Sequence, residues 1–496
     1  MTTNIVDDSD IAALAKGGRT NVFGFVLRLA ARIPFLFIAG RLYGPEALGR
    51  FAYALLIVEF VAQLATLGLR RGLAEILSRE EKLQAQVIAD CLLLGLIASS
   101  IGAAILIAVP QIMFPNSTIN GLDRFLPIVI FAIVTTDIAL AALAYRFDIA
   151  STVRARSIVE PWTISLAAAA LYFYSTRDGL ILAYVISLLA ALLVALWPLW
   201  KSYGLPWGWR PNPAELFATV RRNLPLAAAD AAEWGSRRLD LAILGLFASP
   251  TVVGVYYVAQ QIASLPQKLK SSFDPILGPV ITRNLQSKNY AEIARQVGQV
   301  GFWIIAAQAG IALALGITGK GVMGLVGPQF VGGTGAMAFL LAAEVVASTA
   351  VVSESALIYM ARHRNLLISL SMLALQAVLS VAFIKGVDLL PLEPGQHGLF
   401  QAAAVAMALM LALATSSLIK SRLLARLLNA PIGVWRSALI LAVAAATVVG
   451  WGVTYMPEWA ELIIGIPLIL GVYGSIIWTK GFGPEDRILF RKEKSA

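Results

Sequence analysis

The sequence predicts an all-α polytopic membrane protein of fourteen transmembrane helices. Three observations carry the prediction: an apolar composition, a regular alternation of apolar segments with basic loops, and an internal copy. Of 496 residues, 58% are hydrophobic and only 14% charged, with a mean hydropathy of +0.77. A soluble globular chain has about 25% charged residues.

Each apolar segment is near the ~20 residues needed to cross a bilayer as a helix. In order they are residues 20–42, 48–69, 87–109, 125–145, 157–174, 180–200, 224–248, 252–269, 297–317, 335–360, 366–385, 399–418, 435–455 and 460–478. A Gly/Pro break at Gly44-Pro45 separates the first two, and Ser249-Pro250 separates the seventh from the eighth. The fifth is polar at its start. The eighth continues as a helical pattern to about Arg283, interrupted by Pro266, Pro275 and Gly278-Pro279, which suit either a bending point or ordinary kinks.

Basic residues set the orientation. With the N-terminus in the cytoplasm, inside loops collect about 27 Lys and Arg and outside loops about five. The alternation requires an even number of spans with both termini inside, at a bacterial inner membrane. The net charge of +10 is therefore topological, facing anionic inner-leaflet lipid, and calls for no nucleic acid. The acidic start of the chain (Asp7, Asp8, Asp10) has no h-region, so no cleaved signal peptide is expected. A single cysteine, Cys91, excludes an intrachain disulfide and a cysteine metal cluster.

Arg32, Gly40, Pro45, Gly49 and Ala54 recur about 205 residues later as Arg237, Gly245, Pro250, Gly254 and Ala259. The copy pairs spans one to six with spans seven to twelve, related by an axis along the membrane normal. It divides the chain into an N-lobe at 1–200, a cytoplasmic linker with an interfacial helix at 201–222, and a C-lobe at 223–420. Spans thirteen and fourteen and a basic tail follow at 421–496. Duplicated halves of this kind build central cavities in transporters.

Candidate binding residues are the basic side chains left over within spans. Arg28 and Arg32 share one face of the first span, which holds no acid to neutralise them. A charge at the bilayer centre costs at least ~2.5 kcal/mol and calls for a watery cavity or a partner. Arg237 is the repeat equivalent of Arg32, with Arg238 beside it. Guanidinium forks from two spans suit a polyanion such as pyrophosphate. The competing reading is structural ion pairing, stronger for the seventh span, where Asp230, Glu233 and Asp240 surround Arg237. Lys268 and Lys270 could receive an anionic headgroup or simply snorkel to the interface, and Arg50 reads as a span-start anchor. Among intramembrane acids, Asp137, Glu59, Asp230, Glu233 and Asp240 are candidates for coupling to Na+ or H+, or for ion pairing. Asp137 leads, because its own span holds no base before Arg146. No cofactor, metal centre or catalytic residue is expected. The stretch GITGKG at Gly316–Gly321 lacks the spacing of a phosphate-binding loop, and no outside loop exceeds about 15 residues, too few for a catalytic domain.

Three stretches resemble one family: LYGPEALGRFAYA with the segment before it, RRLDLAILGLFASPTVVGVYYVAQQIASLPQKL, and VGPQFVGGTGAMAFLLAAEVV. Over essentially the whole chain they are similar to Wzx-type flippases of polysaccharide and lipid-linked oligosaccharide, within the multidrug/oligosaccharidyl-lipid/polysaccharide exporter superfamily. The resemblance implies two pseudo-symmetric six-helix lobes around a cavity that opens alternately to each side, plus the two C-terminal helices. It also implies that an undecaprenyl-pyrophosphate-linked oligosaccharide is turned from inner to outer leaflet, its pyrophosphate drawn to Arg28, Arg32, Arg237 and Arg238. Polysaccharide polymerase or export proteins would be partners. A drug exporter and a lipid II flippase of the same superfamily, a membrane glycosyltransferase or ligase, and a non-transporting scaffold are the alternatives. The arginines weigh against a cation exporter, and the short outer loops against the glycosyltransferase.

Overall fold

The computed structural model describes residues 33–79, 84–270, 281, 285, 289–393 and 395–483, without the side chains of 79, 267–270 and 351. Those residues form helices and connecting turns, with no strand among them. Among the described residues, nine helical stretches are long and apolar enough to cross a membrane, and the shorter apolar helix Ser437–Val453 adds to them. The chain is a multi-pass membrane protein.

Contacts divide it into two compact units, Met1–Arg238 and Leu239–Ala496. In the first, a π-helical turn Ala39–Tyr43 leads into α1, Gly44–Ala65. Pro45 sits at the head of α1 and Glu46 in its first turn, where a missing N–H costs nothing and a carboxylate meets the positive helix end. Leu67 and Gly68, both at positive φ, turn the chain into the amphipathic α2, Leu69–Arg79. Then come α3 (Gln84–Ala108), α4 (Val129–Tyr145), α5 (Glu160–Leu171) and α6 (Gly179–Tyr203). A short helix Ile149–Thr152 and a π-helical stretch Val153–Val159 lead directly into α5. α7 is Pro213–Ser236, with the Asn212 side chain accepting from Ala214 N at 3.1 Å. It absorbs the expected interfacial helix and the start of the seventh span in one rod, packed on α1, α2 and α3.

The second unit opens with α8 (Leu239–Phe247) and α9 (Pro250–Lys270), followed by α10 (Tyr290–Ile317) and α11 (Gly319–Val326). Next are α12 (Thr334–Met360), α13 (Arg362–Asp388), α14 (Gln396–Leu428), α15 (Ser437–Val453) and α16 (Ile466–Ile476). α12 packs most extensively on α14, and α13 packs against α14 and α8. α15 and α16 close over α10 around Phe302, Ala306, Ala309, Ala442, Ala446, Ile469 and Tyr473.

The internal copy is visible at atomic level. In unit one Phe35 and Phe51 meet edge to face, with ring centroids 5.9 Å apart. At the 205-residue offset stand Asp240 and Tyr256, and Tyr256 Oη donates to Asp240 Oδ2 at 2.6 Å. The same two positions touch in both copies, through different chemistry.

Candidate functional site

One cluster of charged residues in the first unit lies where α7 packs on α1 and α2. Arg71 on α2 lies 2.7 Å through Nε from Asp230 Oδ1, and its Nη2 donates to Glu233 Oε2 at 2.6 Å. Glu233 also accepts from Arg237 at 2.9 Å, one helical turn on. Arg238 Nη2 stands 3.8 Å from Glu59 Oε2 on α1 and lies over the Trp234 ring at 5.8 Å. Glu59 Oε1 accepts from Tyr184 Oη on α6 at 3.3 Å. Arg71, Arg237 and Arg238 thus face Asp230, Glu233 and Glu59 in equal number. A balanced set can bind an anion only if its pairs open. The pair best able to do so is Glu233–Arg237, whose side chains are 49% and 62% exposed.

Asp230 and Asp240 do not pair with Arg237. Asp230 is held by Arg71, and Asp240 accepts from Tyr256 and from Gln260 Nε2 at 2.9 Å within the second unit. Arg28 and Arg32 lie outside the described residues. Lys268 and Lys270 fall in the last turn of α9, their side chains likewise outside what is described.

Asp137 finds its base on a neighbouring element. Arg156 donates one arm to Asp137 and the other to Glu160 Oε2 at 2.7 Å, bridging α4 to the head of α5. The sequence places Arg156 in an inside loop. In the structure the helix starts at Ile149, eight residues before the expected span start at 157, and carries Arg156 into the packed interior.

Arg50, near the start of α1, is buried. It is 6% exposed, pairs with the fully buried Asp123 and with Asp178 at 3.5 Å, and lies over the Phe114 ring at 4.6 Å. Asn120 Nδ2 donates to Asp178 Oδ2 at 3.0 Å and ties the two connecting loops together. In the second unit Lys420 Nζ is buried between Glu354 Oε2 and Ser369 Oγ, both at 3.0 Å. No group of three or more His, Cys, Asp or Glu side chains is placed to hold a metal ion among the described residues.

Sequence reasoning counted Arg156 and Lys420 in inside loops and read Arg50 as a span-start anchor, so the buried pairing of all three went unseen. A search of curated protein sequences returns no match. Solved structures share the fold at low identity. The lipid II flippase MurJ, in an inward closed conformation, is 12% identical with a TM-score of 0.69, covering 95% of this chain and 100% of that one. An inward-facing multidrug resistance MATE family transporter of the MOP superfamily is 16% identical with a TM-score of 0.63, covering 81% and 95%. A MATE transporter in complex with MaD5 is 15% identical with a TM-score of 0.54, covering 84% and 96%. Residues 38–302, just over half of the chain, match the family described as polysaccharide biosynthesis protein, and the chain belongs to that family.

Proposed function

We propose that the chain is an alternating-access transporter rather than an enzyme. Its cargo is an undecaprenyl-pyrophosphate-linked oligosaccharide, turned from inner to outer leaflet for polysaccharide export. The single observation that carries this reading is the family match over residues 38–302. The chemistry of α7 supports it: Arg237 and Arg238 end that helix together, and the Arg237 guanidinium is mostly exposed. A pyrophosphate arriving there offers forked acceptors that compete with Glu233. Arg28 and Arg32 would add the positive charge that the balanced set lacks.

In this reading the lobes are 1–200 and 223–420, both termini are cytoplasmic, and the membrane is the bacterial inner membrane. Lys268 and Lys270 receive the headgroup. Asp137, Glu59, Asp230, Glu233 and Asp240 supply the structural pairs and any coupling to Na+ or H+. The low-identity structural likenesses leave lipid II and drugs as rival cargoes. Reconstituted flipping of a fluorescent lipid-linked oligosaccharide, with lipid II and a cationic dye as competitors, separates the three. Flipping of the oligosaccharide by wild type and its loss in Arg237→Ala is the expected outcome. Transport of the dye alone would overturn the assignment.

A further inference from the structure

A second cationic site lies on the α13–α14 hairpin, away from the α7 cluster. Arg364, Leu367 and Ile368 follow one another at helical spacing on α13, and Ile419, Arg422 and Arg426 do so on α14. Together they line a cavity of about 440 Å³. The lining itself is almost wholly apolar, and the antiparallel hairpin brings the start of α13, with Arg364, beside the end of α14, with Arg422 and Arg426.

The hairpin sorts its basic residues by face. Lys420 points inward and is neutralised by Glu354 and Ser369. Arg364, Arg422 and Arg426 point outward, with no carboxylate partner among the described residues. Three like charges carried at the same end of the hairpin repel one another, and an anion at the rim of the hollow would relieve that repulsion. Beyond the arginines the surface is apolar and open, with Leu367 at 63% and Ile419 at 47% exposed. The stretch Arg362–Asp388 is among the least buried of the candidate spans. The exposed arginines at the rim thus suit a phosphate, and the apolar hollow suits hydrocarbon.

We propose that this hollow binds an anionic phospholipid of the surrounding leaflet. Its phosphate sits among Arg364, Arg422 and Arg426, and its acyl chains lie along Leu367, Ile368 and Ile419. Free phosphate matches only the charged end. The transported cargo carries a pyrophosphate and would need to leave, whereas this hollow sits on the outer face of the second unit's α14. The proposal does not depend on the transport reading, since its readout is lipid retention.

The test is native mass spectrometry of the full chain in detergent, titrated with phosphatidylglycerol or phosphatidylcholine. Wild type should retain phosphatidylglycerol in preference to phosphatidylcholine. Each charge-assisted bond lost weakens binding by about tenfold, so the Arg422→Gln/Arg426→Gln pair should lose the preference. Lys201→Gln, an exposed charge of the first unit, should keep it. Arg422→Lys, which holds the charge without the fork, should lie between and shows that the site survives folding. Equal retention of both lipids, an equal loss in Lys201→Gln, or displacement by millimolar inorganic phosphate would each overturn the proposal. So would preferential displacement by a lipid-linked pyrophosphate, which would make the hollow a cargo site.

Discussion

At the residue scale, burial decides which arginines are structural. Arg50 and its partners are almost sealed, with Asp123 at 0% exposure and Asp178 nearly so. Removing one partner of a buried pair strands the other charge and costs about 3–5 kcal/mol. Arg50→Ala should therefore lower the melting temperature sharply in detergent, and Arg50→Lys should restore only part of it, since Lys cannot fork between two carboxylates. An unchanged melt in Arg50→Ala would show the knot to be dispensable. Arg237 is the opposite case. Its pair with Glu233 is open to solvent on both sides, and exposed pairs are worth about 0–1 kcal/mol. Arg237→Ala should leave the melt and the protein level nearly unchanged while surface polysaccharide falls. Normal export at matched expression would remove Arg237 from the cargo path. The sequence reads Arg50 as a span-start anchor and does not disclose its buried ion pairs, because its partners lie 73 and 128 positions away, in connections that hydropathy cannot place.

At the element scale, the docking of α2 on α7 is set by glycine. Gly68 has φ +71°, and a Cβ there would lie 2.7 Å from Ala227 N and 2.8 Å from Asn223 O. Those are backbone atoms and cannot step aside. At Gly72 the nearest atom is the Asn223 side-chain oxygen, at 1.9 Å, which a rotation of that side chain relieves. Gly68→Ala should push α2 off α7, part Arg71 from Asp230 and cost about 1–3 kcal/mol in backbone strain alone. Gly72→Ala should cost less. A thermal melt of both variants checks the order, and a reversed order would mean that α2 is not held by close backbone approach. α2 itself was within reach of the sequence. Its basic residues read as an inside loop, yet Leu69, Leu73 and Leu77 repeat every four positions and all three are fully buried. The long spans were legible because each needs some twenty apolar residues. An eleven-residue amphipathic helix with Arg70, Arg71 and Glu75 exposed on its other face does not declare itself by hydropathy.

At the scale of the whole molecule, the duplication explains why the last two spans exist only once. α3 and α10 correspond at the 205-residue offset, so Ile97, Ile101 and Ile105 stand opposite Phe302, Ala306 and Gly310. In the first unit the three isoleucines are exposed, as befits a face turned to lipid. In the second unit that face is covered by α15 and α16. Small residues let helices approach closely where lipid supplies no driving force, and Ala306 and Gly310 do so here. Tyr473 Oη donates to Ala306 O at 2.8 Å, and its ring sits where a Cβ on Gly310 would be 2.9 Å away. Arg436 completes the closure, donating to Gly481 O at 2.6 Å while lying over Phe302. The sequence shows that spans thirteen and fourteen lack repeat partners; only the packing shows that they substitute for lipid on one copy. Gly310→Ile, which writes the first unit's residue into the second, should force α16 away from α10 and cost about 1–3 kcal/mol. Ile105→Gly, the reciprocal change, fills no interface and loses only helix propensity of about 1 kcal/mol. The two melts, compared in the same detergent, test the asymmetry directly: if Gly310→Ile is as mild as its reciprocal, α16 is not seated on α10 by close approach and the two copies present equivalent faces to the bilayer.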